Sequence, residues 1–237
     1  MGHKVHPKVF RLGTTTTWPS KWFARDQIYR DFLKQDLALR DFLKKELKEA
    51  QVNKVVIERS RGALAITVFS GKPGLVIGRS GVGIEELKKK VLKKFFNGKK
   101  VQFQLNVIET PKAALEAVII AAQVVSDLER RMPFRRTLKM TIERVKKAGA
   151  LGVKIAVSGR LNGAEIARRE WLGWGKIPLT NLRADIDFAT DTAHTMAGTI
   201  GVKVWIYRGD VFEQDRLAQY KPSTPTTRPR GRMQRAI

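Results

Sequence analysis

The sequence predicts an α+β fold in two domains, and three observations carry that reading. Residues 26–109 run through a helical apolar stripe, strand-like segments and a glycine-rich turn between helices. Thr110-Pro111 interrupts that pattern. Beyond it come two helical stretches and then four strand-like runs. The expected organisation is an N-terminal arm over 1–19, a first domain over 20–110, and a second over 111–212 with two helices on a mainly antiparallel sheet. A basic tail over 213–237 follows.

The elements are justified in order. Residues 1–20 lack periodicity, and Thr14 to Thr17 with Trp18-Pro19 read as an extended arm. Residues 26–49 have helical spacing, with Ile28, Phe32, Leu33, Leu37, Leu39, Phe42, Leu43 and Leu47 forming a broad apolar stripe. Val52 to Arg59 and Ala63 to Phe69 are strand-like, joined by the hairpin-sized Ser60-Arg61-Gly62. A glycine-rich turn then leads into a lysine-rich helix that places Ile84, Leu87, Val91, Leu92 and Phe95 on one side. Residues 101–107 alternate Val101, Phe103, Leu105 and Val107 against Gln102, Gln104 and Asn106, a strand signature.

In the second half, a helix is expected over 112–131 with Leu115, Val118, Ile119, Ala122, Val125 and Leu128 inward. Pro133 breaks it, and a second helix over 134–148 turns Phe134, Leu138, Ile142 and Val145 inward before Gly149. Strands are expected over 151–158, 171–178, 182–190 and 200–208. From about 214 the chain is polar, and Pro222, Pro225 and Pro229 interrupt its cations, a composition expected to stay disordered until bound.

Charge narrows the function. Lys and Arg number 46 against 22 Asp and Glu, a formal net charge of +24. Such a chain repels itself when compact and calls for an anionic partner, most commonly nucleic acid. Residues 72–100 and 130–147 each carry a net +7, and 221–237 carry five cations and no acid. That concentration points to defined binding surfaces. A membrane partner is not expected: His6 stands where the pattern for myristoylation of Gly2 requires Ser or Thr, and the apolar stretch Ala113 to Val125 is too short to span a bilayer. The absence of Cys excludes disulfides and Cys-ligated zinc and suits a reducing cytoplasm.

The sharpest motif is Gly78-Arg79-Ser80-Gly81, preceded by Leu75-Val76-Ile77. Two glycines around two polar residues let a turn approach a nucleotide backbone closely, and the following helix N-terminus adds amide donors. An ordinary interhelical turn is the plain alternative. The order of elements and the basic helix favour the nucleic-acid reading, and together they resemble a type-II KH domain, whose G-x-x-G loop clamps single-stranded RNA. Lys88, Lys89 and Lys93 on the basic helix are expected to add phosphate contacts. A second cluster lies on the helix over 134–148, where Arg135, Arg136 and Lys139 sit on neighbouring faces, with Arg130 and Arg131 just before it. A solvated face is the alternative there. Asp185, Asp187, Glu165 and Glu170 are the carboxylates a metal-dependent nuclease would need, but ion pairing with Arg168, Arg169 and Arg183 explains them more simply. No catalytic residue, metal ligand or cofactor is expected.

Longer segments extend the resemblance over the whole chain. Gly2-His3-Lys4-Val5-His6-Pro7 with Arg11-Leu12-Gly13, Ser158-Gly159-Arg160-Leu161-Asn162-Gly163-Ala164-Glu165-Ile166-Ala167-Arg168, Leu182-Arg183-Ala184-Asp185-Ile186-Asp187 and Gly201-Val202-Lys203-Val204-Trp205-Ile206-Tyr207 together resemble the bacterial small-subunit ribosomal protein S-three family. Asn162 stands where that family usually has glycine, and Trp174 where a polar residue is common. The resemblance implies a non-enzymatic role in the cytoplasmic small ribosomal subunit. It implies rRNA contacts in the subunit head, including Lys4, Arg11, Arg130, Arg131, Arg160 and Arg168. It further implies a face at Arg135, Arg136 and Lys139 for incoming mRNA, which helps open message structure. The implied neighbours are proteins S-ten and S-fourteen in the head, with S-four and S-five where message enters. A free-standing KH-domain RNA chaperone or regulator is the alternative.

Overall fold

The computed structural model describes residues 4–60, 62–96 and 102–212. They form two four-stranded sheets, each covered on one face by helices. The mixed α+β class and the division into a KH domain followed by two helices on an antiparallel sheet are as the sequence predicts.

The first sheet has the order β1 (Ser20–Lys21), β2 (Val52–Ser60), β3 (Ala63–Ser70), β4 (Gln102–Glu109). β2 and β3 pair antiparallel around Gly62, whose φ of +77° suits the tight turn, and β4 joins β3 in parallel. A parallel neighbour needs a crossover. Here it is α3 (Pro73–Ile77), the glycine loop, and α4 (Val82–Phe95), which returns over the sheet beside α2 (Asp26–Glu46). Leu39 and Leu43 from α2, Val91 from α4, and Ile57, Ile66 and Val68 from the strands are wholly buried between these layers.

The predicted stripe of α2 is corrected in its first half. Ile28, Leu33 and Leu37 are exposed, and burial begins at Asp36. Periodicity gives the face, but only the later turns meet β2 and α4. Over the first turns Trp22 packs on Tyr29 and Phe32 instead, and its indole N–H donates to Asp36 at 2.7 Å. Arg59 pairs with the same carboxylate, so this buried acid is held by two donors.

The second sheet has the order β6 (Arg168–Gly175), β5 (Gly152–Gly159), β8 (Gly198–Asp210), β7 (Ala184–Thr195), antiparallel throughout. Helices α5 (Ala117–Glu129) and α6 (Phe134–Lys147) cover its inner face, burying Val124, Val145, Val153, Ile155, Val157, Val204 and Ile206. Helix α5 begins five residues later than the expected 112, after a 3₁₀ turn at Ala113–Leu115. The Asp187 carboxylate fixes that start by accepting from the Ala117 N–H. Ala122, expected inward, is exposed, while Ile120, Ala121 and Val124 are buried. A helix apolar on nearly every side leaves its facing set undecided by periodicity alone.

The arm also differs from expectation. Pro7–Phe10 form a short helix, α1, docked against β7 rather than an extended strand. Lys8 Nζ lies 2.6 Å from Asp187, and Arg11 is completely buried. Asn162 adopts φ +55°, a left-handed conformation that Asn tolerates, which explains how it can stand in a usual glycine position. The polar tail from 213 lies outside the described residues.

Candidate nucleic-acid interface

The glycine loop is shaped by backbone conformation. Gly78, Ser80 and Gly81 have φ of +70°, +52° and +83°. Glycine adopts this region freely; Ser80 does so against its preference, as residues at binding loops often do. Gly78, Arg79 and Ser80 are exposed, and Gly81 is half-buried. α4 starts at the next residue, so its free amides and positive dipole end lie beside the loop. Leu75, Ile77 and Val82 are exposed around it, an apolar rim onto which unstacked bases could pack.

Sequence reasoning passed over Gly83. A Cβ there would lie 2.8 Å from the Val76 carbonyl oxygen and 3.0 Å from that of Ile77, so α3 and α4 can approach only over glycine. Four glycines in the segment Gly74 to Gly83 were visible in the sequence; the close approach that singles out Gly83 was not. Along α4, Lys89 and Lys93 are exposed and Lys88 half-buried. Lys90 is paired with Glu46 at 3.3 Å, and Lys94 covers the Phe42 ring at 4.5 Å.

The second cluster lies on α6. Arg135, Arg136 and Lys139 are all exposed, but they are not equivalent. Arg135 Nε lies 3.4 Å from Glu170 of β6, which also holds Arg168 at 3.2 Å. Arg135 and Arg168 both lie over the Phe134 ring, at 5.7 and 6.0 Å. Arg136 and Lys139 form no hydrogen bond or ion pair with the described residues. Glu170 thus orients one edge of the face and leaves the rest cationic. Arg130 and Arg131 are exposed at the end of α5, and Lys4 is exposed in the arm.

Two expected rRNA contacts make bonds within the fold, and burial overturns the expectation for Arg11. Arg11 is 0% exposed and its two terminal nitrogens donate to the carbonyls of Pro7, Pro178, Leu179 and Asn181, so its guanidinium faces the fold and not solvent. Arg160 is half-buried and donates to the carbonyls of Ala164 and Ala197, tying two loops together. Basic residues were read from sequence as free cations, and the fold bonds these two to carbonyl oxygens.

Glu170 pairs with Arg168 as expected, whereas Asp185 and Asp187 pair with Arg208. Arg208 lies 2.8 Å from Glu116, 3.3 Å from Asp187 and 3.6 Å from Asp185. Burial alone would lower the Arg208 pKa, but these acids outweigh it and raise it. Burial also raises the Asp185 pKa, against the pull of Arg208. Among the described residues, no group of His, Asp and Glu is placed to hold a metal ion. Nor is any helix there long and apolar enough to cross a membrane.

Comparison with known proteins decides the family. The KH domain family matches residues 38–114, and the C-terminal domain family of ribosomal protein S3 matches residues 124–206. "Small ribosomal subunit protein uS3" of Shewanella loihica is 44% identical over 233 residues, covering 98% of this chain and 100% of that protein. The chain belongs to the uS3 ribosomal protein family. The uS3 proteins of Desulfitobacterium hafniense and Methylocella silvestris are 45% and 43% identical, over 92% and 93% of this chain. The uS3 match spans both sheets, the glycine loop and α6, so each surface described above lies within the shared part of the chain. The uS3 family is one of structural ribosomal proteins, not enzymes.

Proposed function

We propose that this chain is a structural, RNA-binding constituent of the small ribosomal subunit, and that it holds messenger RNA as it enters. The observation that carries the first part is the match, at 43–45% identity over both domains, to proteins named for that subunit. The net charge of +24 supports RNA as the partner.

The finer reading assigns roles to surfaces. The Gly78–Gly81 loop and the lysines of α4 approach an RNA backbone, supported by the loop's exposure and the helix dipole beside it. Arg135, Arg136 and Lys139 face incoming message and hold it without reading sequence, supported by their exposure and charge. Unwinding at this face is mechanical, with the strand pulled past it. Subunit-head rRNA binds Lys4, Arg130, Arg131 and Arg168. Neighbouring proteins S-ten, S-fourteen, S-four and S-five and a cytoplasmic location complete this reading by family resemblance.

Sedimentation tests it. The tagged chain is expected at one copy per small subunit in a high-salt sucrose gradient. Free protein at the top of the gradient, with no small-subunit signal, would overturn the ribosomal reading in favour of a free-standing RNA chaperone.

A further inference from the structure

The outer face of the second sheet, away from α5 and α6, carries a trough of about 1220 Å³. Strand register places its residues. Lys154 of β5 stands opposite Trp205 of β8, and Trp205 stands opposite Phe188 of β7. Trp171 of β6 does not line the trough but adjoins it, opposite Ala156 and on the same face as Lys154. Lys154 Nζ lies 4.4 Å from the Trp171 ring centre and 5.8 Å from that of Trp205, so one ammonium sits between two indoles. Trp171 is 61% exposed.

The lining is one-signed. Lys4, Lys154, Arg169 and Lys203 line the trough, and no Asp or Glu does. Burial lowers the Lys154 pKa, and the charges of Lys4 and Arg169 lower it further. A fold that crowds cations around the half-buried Trp205 and beside the exposed Trp171, with no carboxylate in the lining, carries an unmet electrostatic demand. Residues 221–237 hold five cations and no acid, so that stretch does not complement the trough's charge.

We infer that this trough and the adjoining Trp171 form a second RNA site, distinct from the glycine loop and α6, in which an unpaired nucleotide stacks on the exposed Trp171 beside Trp205 while Lys154, Arg169 and Lys203 hold its phosphates. Planar aromatics offer any base a stacking surface, and flanking cations neutralise the backbone. An acidic peptide would use the cations but leave the exposed Trp171 indole without a planar partner. The inference rests on the reading of the chain as RNA-binding.

The test uses the full chain with octauridylate and with small-subunit rRNA, by fluorescence anisotropy and ultraviolet crosslinking. W171A, at an exposed position, is expected to weaken octauridylate binding at least about fivefold without lowering Tm. K154Q, which removes the ammonium between the two indoles, is expected to weaken binding with the fold retained. Wild-type crosslinks are expected at Trp171 or Trp205. The glycine-loop variant R79D/S80D serves as reference. If wild type binds rRNA, R79D/S80D weakens it, and both trough variants match wild type without crosslinks there, the trough inference alone is overturned. If wild type binds neither RNA, the RNA-binding reading itself falls. Octaglutamate binding that K154Q abolishes, with RNA binding unchanged, would overturn the site in favour of a protein partner.

Discussion

Arg11 donates to the Leu179 carbonyl at 2.9 Å, across 168 residues of sequence. The same guanidinium reaches Asn181 at 2.8 Å, Pro7 at 3.0 Å and Pro178 at 3.3 Å. A residue that resembles an RNA contact in sequence is therefore the clasp that holds the arm to the second domain. A guanidinium holds two donor nitrogens apart in one plane, so it reaches Pro7 with one and the 178–181 carbonyls with the other.

R11K should consequently behave almost as badly as R11A. The ammonium keeps the charge but not the fan of donors, leaving buried carbonyls unmet at a cost of about 3 kcal/mol. Denaturant unfolding measures the loss, and limited proteolysis should show cleavage in the arm. An R11K protein as stable as wild type would remove the clasp.

Asp185 and Asp187 should respond oppositely to the loss of charge. D187N loses the pairing with Lys8 and Arg208 and weakens the acceptor at the start of α5, at about 2–4 kcal/mol. D185N should be neutral or stabilising at pH 7. The Asp185 pKa is raised in the fold, so its favourable contribution is present below the unfolded value of about 3.9 and is lost as pH rises through the folded one. Removing the charge therefore helps most at neutral pH. Melting curves at pH 4 and 7 decide this; a D185N protein less stable than D187N at pH 7 would contradict it.

G83A should damage the loop where G74A does not. A Cβ at Gly83 meets two backbone carbonyls of α3, while one at Gly74 meets nothing within 4 Å. R79D/S80D should weaken RNA binding about tenfold or more without unfolding, because two acids would then face phosphates. Anisotropy with single-stranded RNA, alongside circular dichroism, separates the cases. Wild-type affinity in folded R79D/S80D would discard the loop as a binding site.

R135A/R136A/K139A should slow translation through stable hairpins more than through unstructured message, with subunit assembly intact. Exposed charges add little stability, on the order of 1 kcal/mol or less each. E170Q should do the reverse, freeing Arg135 and Arg168 for RNA. The readout is the ratio of rates on the two messages, using reconstituted subunits. A ratio unchanged in fully incorporated triple mutant would reduce these side chains to an rRNA-facing or solvated surface.

The sequence by itself determined what depends on near neighbours. Alternation along 102–107 and 153–157 gave strands, Gly78 and Gly81 marked a turn between helices, and clustered cations marked the basic surfaces. Tertiary structure decided what depends on distant partners. It turned Arg11 and Arg160 from free cations into donors to carbonyls, exposed Ile28, Leu33 and Leu37, and set the start of α5 through a carboxylate 70 residues away. It also brought Trp171 and Trp205 to either side of Lys154 on one sheet face, which no single stretch of the chain displays. Periodicity states which residues share a face; only packing states what that face meets.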